Sequence, residues 1–223
     1  MTQISQSFIS ELNFDKKGLI PAIAQDWLDG AVLMMAWMNK NALEKTLHTG
    51  EIYYWSRSRQ ELWHKGATSG FTQKLKSIRY DCDADVILLS IKQTGLISCH
   101  KGLRSCFFNQ PNKTYPETSI EAEPPSDACS ELFKTIQERY SNPEDSSYTN
   151  NLLKGGDNKI LKKIGEETAE FVMACKDNDL DSISNEAADL IYHLQVALKH
   201  HDVKWRDVLE VLASRRGKRR NHK

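Results

Sequence analysis

A chain of 223 residues, 39% hydrophobic and 27% charged, has room for one large or two small globular domains. Its 30 Lys and Arg offset its 30 Asp and Glu, which argues against a nucleic-acid partner read through an overall basic field. No stretch is apolar enough to span a bilayer, and MTQISQSFISELNFDKKGLI lacks the apolar core of a secretory signal, so a cytoplasmic protein without a membrane partner is expected. From Gly18 to about Phe108, short β-type runs such as EIYYWS (51–56) and DVILLSI (85–91) alternate with short helical ones, predicting an α+β domain. The segment 109–127 holds four of the six prolines among polar and acidic residues and reads as a linker, giving domains 1–124 and 125–223. Beyond it, apolar residues recur at helical spacing: Leu132, Ile136 and Tyr140, then Ile160, Ile164 and Phe171, then Ile183, Leu190, Leu194 and Leu198. An all-α domain follows. The basic residues Arg215, Arg216, Lys218, Arg219 and Arg220 read as a solvated end.

Five cysteines in a reducing compartment serve as metal ligands, nucleophiles or core residues rather than disulfides. Asp81, Asp83 and Asp85 precede the run VILLSI, so they read as the start of a strand with three carboxylates on one face and Cys82 on the other. Such a face suits a hard cation such as Mg²⁺. Cys82, Cys99 and Cys106 together offer three thiolates with a fourth position open, the arrangement of a catalytic zinc site rather than a closed structural one. His100 beside Cys99 is a candidate general base or supporting group. Upstream, Arg57, Arg59 and Lys65 bring positive charge, Ser56, Ser58, Thr68 and Ser69 bring hydroxyls, and glycines such as Gly70 let amides approach an anion. Trp55 or Trp63 offers a face for a base. Each pattern also has a plain structural reading: a solvated strand end, inert buried thiols, or a charged hairpin with core tryptophans.

GLIPAIAQD (18–26), VLMMAWMN (32–39), YWSRSR, LWHKG, TSG, DCDAD and CHKGLRSC together resemble phosphoribosyl-AMP cyclohydrolases, over about residues 18–108. The resemblance implies that Cys82, Cys99 and Cys106 hold zinc, that Asp81, Asp83 and Asp85 hold magnesium, and that His100 is the catalytic base. It also implies that Arg57, Ser58, Arg59, Trp63, Lys65, Thr68, Ser69 and Gly70 bind substrate, and that a homodimer shares the zinc ligands between subunits. One position departs from the pattern: Ala67 stands where the family has a glutamate.

In the helical half, Glu167 pairs with Glu170 and Glu186 with Asp189, each three residues apart on one helical face. Two antiparallel helices would oppose the pairs in a cage suited to Mg²⁺, although two solvated acidic faces give the same pattern. Lys154 to Lys159 forms a Gly-rich turn opening a helix, where phosphate binds readily. SYTNNLLKGGDNKILKKIGEETAEF followed by NEAADLIYHLQVAL resembles the MazG-like phosphoribosyl-ATP pyrophosphohydrolases, over about residues 132–216. This implies Mg²⁺ on Glu167, Glu170, Glu186 and Asp189, with Glu166 a further candidate and Lys154 and Lys159 near the phosphates. Cys129 and Cys175 match no motif and read as packing. Both halves thus resemble consecutive hydrolases of histidine biosynthesis acting on phosphoribosyl-ATP and phosphoribosyl-AMP. The alternative is a nucleotide pyrophosphatase fused to a zinc-containing nucleotide-binding domain with little cyclohydrolase activity.

Overall fold

The computed structural model describes residues 3–109, 111 and 125–216, so most of the 109–127 linker and the distal basic residues Lys218, Arg219 and Arg220 lie outside the described residues. Two compact units, Met1–Ser126 and Asp127–Lys223, make up the chain. The first is α+β. Helix α1 (Gln3–Glu11), which the sequence reading did not foresee, precedes β1 (Ile20–Asp26), β2 (Val32–Met38), α2 (Lys40–Thr49), β3 (Tyr53–Ser56), β4 (Glu61–His64), β5 (Gln73–Tyr80) and β6 (Ile87–Gln93). The six strands lie in the order β4-β3-β2-β1-β6-β5; β1 and β6 are parallel and every other pair is antiparallel.

Strand alternation explains the core. Ile20, Ala22 and Ala24 of β1 and Ile87, Leu89 and Ile91 of β6 point inward and are fully buried against Leu33, Met38, Leu43, Ile52 and Tyr54. Helix α2 covers this face, started by the Asn39 side chain accepting the Ala42 amide at 2.8 Å and stopped at Gly50 in the left-handed conformation. The sheet curls until the Ile52 amide donates to the Gln73 carbonyl at 2.9 Å and the Leu75 amide to the Gly50 carbonyl at 2.8 Å.

The strand expected to begin at Asp81 begins at Ile87 instead, and residues 81–86 form a turn. The Asp81 Oδ1 accepts the Asp85 and Val86 amides at 3.0 and 3.1 Å, and Ala84 sits at φ 60°. A carboxylate that satisfies backbone amides four and five residues on closes a turn in place of a ladder, and here it forms the connection between β5 and β6.

The second unit is helical: α3 (Ala128–Ser141), α4 (Tyr148–Asp177), α5 (Leu180–His200) and α6 (Trp205–Arg215). Ile136, Leu152, Ile160 and Val196 form its buried core. The Gly-rich turn opens a helix as expected: the helical run of α4 starts at Tyr148 and resumes through Lys162 and Lys163 after a break at Gly156 (φ 62°, ψ −162°). Only glycine adopts that backbone without strain. Asn178 then ends α4 in the left-handed region, and Asp179 caps α5 by accepting the Asp181 and Ser182 amides, each at 3.2 Å. So short a connection turns α5 back along α4.

Gly66 (φ 85°) has no room for a side chain: a Cβ there would stand 2.4 Å from the carbonyl carbon of Phe71 and from the amide of Thr72. Gly70 (φ 76°) has open space around it. Gly70→Ala therefore carries only the backbone strain, about 1–3 kcal/mol, whereas Gly66→Ala must also displace the 71–72 backbone. Chemical denaturation of the two variants is expected to show the larger loss in Gly66→Ala; equal losses would mean the loop yields freely.

Candidate active sites

The segment after β6 leaves the sheet at a 3₁₀ turn (Thr94–Leu96) and folds back as Ser98 to Cys106. A cavity of about 610 Å³ opens between this segment and β4 with its following loop, lined among others by Arg59, Trp63, Lys65, Ala67, Thr68, Ser69, Cys99, His100 and Cys106. That volume suits a nucleotide-sized ligand. Cys99 is buried and Cys106 reaches the surface, yet their sulfurs are in hydrogen-bonding contact. Desolvation pushes the Cys106 thiol up to about 11, and the neighbouring Cys99 pushes in the same direction against the nearby Lys65 charge. Two neighbouring thiols in a partly closed cavity are a donor pair that fits a soft metal. His100 is exposed at the cavity mouth.

The remaining residues read from the sequence divide between this cavity and its surroundings. Arg57 and Ser58 line a second cavity, of about 740 Å³, which shares Trp63 with the first. The Arg57 guanidinium stands 4.8 Å from the Trp37 ring centroid, while Arg59 bonds Ser56 Oγ at 3.2 Å and pairs with Glu61 at 3.1 Å. Gly70 closes the loop through its amide to the Gly66 carbonyl at 2.9 Å. Lys65 is buried, and its ammonium donates to the Ser98 carbonyl at 2.8 Å; desolvation lowers its pKa.

Cys82 is not brought to the other two cysteines within one chain. It is exposed in the β5–β6 turn, between carboxylates. Oxygens of Asp81, Asp83 and Asp85 lie within 4.8 Å of one another, closer than the alternate positions of a strand would place them. Asp83 and desolvation raise the Asp85 carboxyl. The Asp81 carboxyl is lowered: desolvation opposes, but hydrogen bonds from the Val86 and Asp85 amides and from its neighbouring carboxyls outweigh it.

In the helical unit, oxygens of Glu167 on α4 and of Glu186 and Asp189 on α5 gather within 4.8 Å of one another. Desolvation raises the Glu186 carboxyl, and Glu170, Asp189 and Glu167 add to it, so Glu170 faces the same cluster. Glu166 is turned away to Lys162 and Lys163, at 3.2 and 3.1 Å. Lys163 also meets the buried Glu167 at 2.7 Å. Beneath the cluster lies His193, which the sequence reading missed. Its Nδ1 is 2.8 Å from the Asp189 carbonyl, which can only accept, so Nδ1 carries a hydrogen and Nε2 is left to face the Tyr148 hydroxyl at 3.3 Å. Near the break in α4, Lys154 binds Asp145 at 2.7 Å and Lys159 binds the Asn151 side chain at 2.7 Å. Cys175 is exposed rather than packed.

Comparison with known proteins divides the chain in the same way. The phosphoribosyl-AMP cyclohydrolase model matches residues 34–108 and the phosphoribosyl-ATP pyrophosphohydrolase model matches residues 129–216. A protein of Prochlorococcus marinus (strain MIT 9313) named histidine biosynthesis bifunctional protein HisIE is 70% identical over 97% of this chain and 98% of its own length. Its namesake in Parasynechococcus marenigrum (strain WH8102) is 64% identical over 100% of both chains, and the one in Nostoc sp. (strain PCC 7120) is 56% identical over 93% of both. The chain belongs to the family of histidine biosynthesis bifunctional proteins. Both of its units carry donor-rich clusters: thiols and the Asp81, Asp83 and Asp85 carboxylates in the first, and the Glu167, Glu186 and Asp189 carboxylates in the second.

Sequence reasoning also missed Arg104, whose guanidinium reaches Asp29 at 2.5 Å and Asp26 at 3.7 Å. Its only visible signal was its place between Cys99 and Cys106. His193 had a weak one, standing four residues after Asp189 and so on the same helical face.

The gathered carboxylates of the helical unit repel one another until a cation joins them. Mg²⁺ is therefore expected to raise the melting temperature of the helical unit, and to do so less in Glu186→Gln. Because the Glu186 carboxyl is raised, a proton competes with the cation: the Mg²⁺ effect is full above that raised pKa and shrinks as pH falls through it. Calorimetry across pH checks this. An undiminished effect in Glu186→Gln would place the cation elsewhere.

Proposed function

We propose that the helical unit hydrolyses phosphoribosyl-ATP to phosphoribosyl-AMP and pyrophosphate, and that the N-terminal unit then opens the adenine ring of phosphoribosyl-AMP by hydrolysis at the N1–C6 bond. The observation that carries this reading is that two consecutive activities match two separate units, each with its own donor cluster.

In the helical unit, Glu167, Glu170, Glu186 and Asp189 hold Mg²⁺, which when bound draws charge from the triphosphate and makes attack at phosphorus easier. Lys154 and Lys159 lie beside the break in α4 and attract the phosphates; their present partners, Asp145 and Asn151, are exposed and exchangeable. Lys163 pairs with the buried Glu167 at 2.7 Å and so holds that carboxylate in place at the site.

In the N-terminal unit, Cys99 and Cys106 hold zinc with Cys82 of a second copy, and Asp81, Asp83 and Asp85 hold Mg²⁺. Zinc, when bound, supplies the Lewis acidity that makes water a nucleophile at neutral pH. His100, exposed at the cavity mouth, accepts the proton that the attacking water releases. Arg57, Ser58, Arg59, Thr68, Ser69 and Gly70 bind the phosphates and sugar, with Trp63 against the base. Separation of Cys82 from the other two thiols in one chain supports a homodimer. So do exposed apolar side chains on both units, among them Met35 and Phe107 on the first and Leu161, Val172, Met173 and Leu194 on the second. No helix among the described residues is long and apolar enough to cross a membrane, in keeping with work in the cytoplasm.

Incubation with phosphoribosyl-ATP, Mg²⁺ and Zn²⁺ is expected to yield pyrophosphate and the ring-opened product. Cys106→Ala is expected to stop only ring opening, by more than about 100-fold, with phosphoribosyl-AMP accumulating. Glu170→Gln is expected to stop only pyrophosphate release, while phosphoribosyl-AMP supplied directly is still opened. Wild-type protein that releases pyrophosphate and never opens the ring would favour the alternative with a nucleotide-binding N-terminal unit, for which exposed Ala67 on the cavity wall is the supporting observation.

A further inference from the structure

Two cations of the N-terminal unit, the buried Lys65 and the half-buried Arg104, both hold the segment that carries Cys99 and Cys106. Arg104, with its side chain 12% exposed, is paired with Asp29 at 2.5 Å and lies 3.7 Å from Asp26. Those carboxylates are themselves fixed: Asp26 accepts the Leu28 amide at 2.9 Å and Asp29 the Ala31 amide at 3.1 Å, within the connection from β1 to β2. Next to Arg104, Ser105 donates to the Val32 carbonyl and the Cys106 amide to the Leu33 carbonyl, each at 2.8 Å. At the other end of the segment, Lys65 donates to the Ser98 carbonyl at 2.8 Å. Gln73 donates to Ser98 Oγ at 3.2 Å and to Gln93 at 2.9 Å, and accepts from the fully buried Tyr54 hydroxyl at 2.8 Å.

Buried ion pairs add little net stability over apolar side chains of the same size, but they fix geometry, because a guanidinium or ammonium off its partner is left costly and unpaired. We propose that Lys65 and Arg104 are positioning residues that hold Cys99 and Cys106 at metal-binding separation, and that Lys65 acts through Ser98 instead of binding a substrate phosphate. This rests on the reading of the cysteines as metal ligands.

The test uses the full chain and Co²⁺, followed by the absorption of the sulfur-to-cobalt charge transfer. Lys65→Met and Arg104→Met are expected to weaken Co²⁺ binding by about 10- to 100-fold, the usual effect of removing a group that orients a ligand. Asp29→Asn, which leaves the cysteine segment untouched, is expected to weaken it likewise, and Arg104→Lys to recover part of the loss. Pyrophosphate release by the helical unit serves as an internal control and stays at the wild-type rate. If the Met variants lose their fold by circular dichroism, Asp29→Asn and Lys65→Arg decide. Unchanged Co²⁺ affinity together with a raised KM for phosphoribosyl-AMP in Lys65→Met would overturn the proposal and return Lys65 to the substrate. Wild-type protein without sulfur-to-cobalt absorption would overturn the metal reading of the cysteines and the proposal with it.

Discussion

The parallel pairing of β1 with β6 governs the N-terminal unit. It joins residues 22–26 to residues 87–91, so the chain that leaves β6 emerges beside the connection from β1 to β2. From there the segment carrying the cysteines can be tied to Asp26, Asp29, Val32 and Leu33 on one side. On the other it meets Lys65 and Gln73, which arrive because the sheet curls and brings β5 back to residues 50–52. The cavity forms where these chain segments meet, and part of its wall is tied by hydrogen bonds to the sheet.

The helical unit is organised by the opposite constraint. Packing α4 against α5 brings its carboxylates together, and the Glu186 carboxyl is raised first by desolvation and then by the charges of Glu170, Asp189 and Glu167. Part of the charge is answered by Lys163 on Glu167, and the rest is left facing solvent. His193 is fixed beneath this arrangement through Nδ1, which donates to the Asp189 carbonyl at 2.8 Å.

Much of this was legible in the sequence, and the failures have physical causes. The 3.6-residue period placed the helices of the second unit through positions such as Ile136 and Ile160, but it missed the buried face of α5, where Val196 is buried and Leu194 is exposed. Spacing of three residues within each acidic pair likewise foretold that Glu167, Glu186 and Asp189 converge. The turn at Asp81–Asp85 was misread as strand because alternation of Asp with small residues imitates a strand face, and nothing about Ala84 announces a positive φ. That Lys65 is buried, with its ammonium on the Ser98 carbonyl, could not be read from its charge and its glycine neighbour, since burial is a property of the fold and not of the residue. The distance between Cys82 and the other cysteines was equally invisible, because spacing along a chain says nothing about which turn of which strand pair a residue will occupy.

On the proposed reading, the two units answer one electrostatic problem with different donors, and the backbone each uses follows from the donor. Carboxylates are hydrated and flexible, so two helices can present them at a partly open surface, where a hard cation keeps some of its water. Thiols are poorly hydrated and, as Cys106 shows, hard to ionise beside one another when partly desolvated. A sulfur site therefore has to be held in place by something other than the charge of its ligands. Ser98 to Cys106 meets that need with backbone carbonyls and amides tied to the sheet, and with the buried Lys65 and the half-buried Arg104 at its two ends.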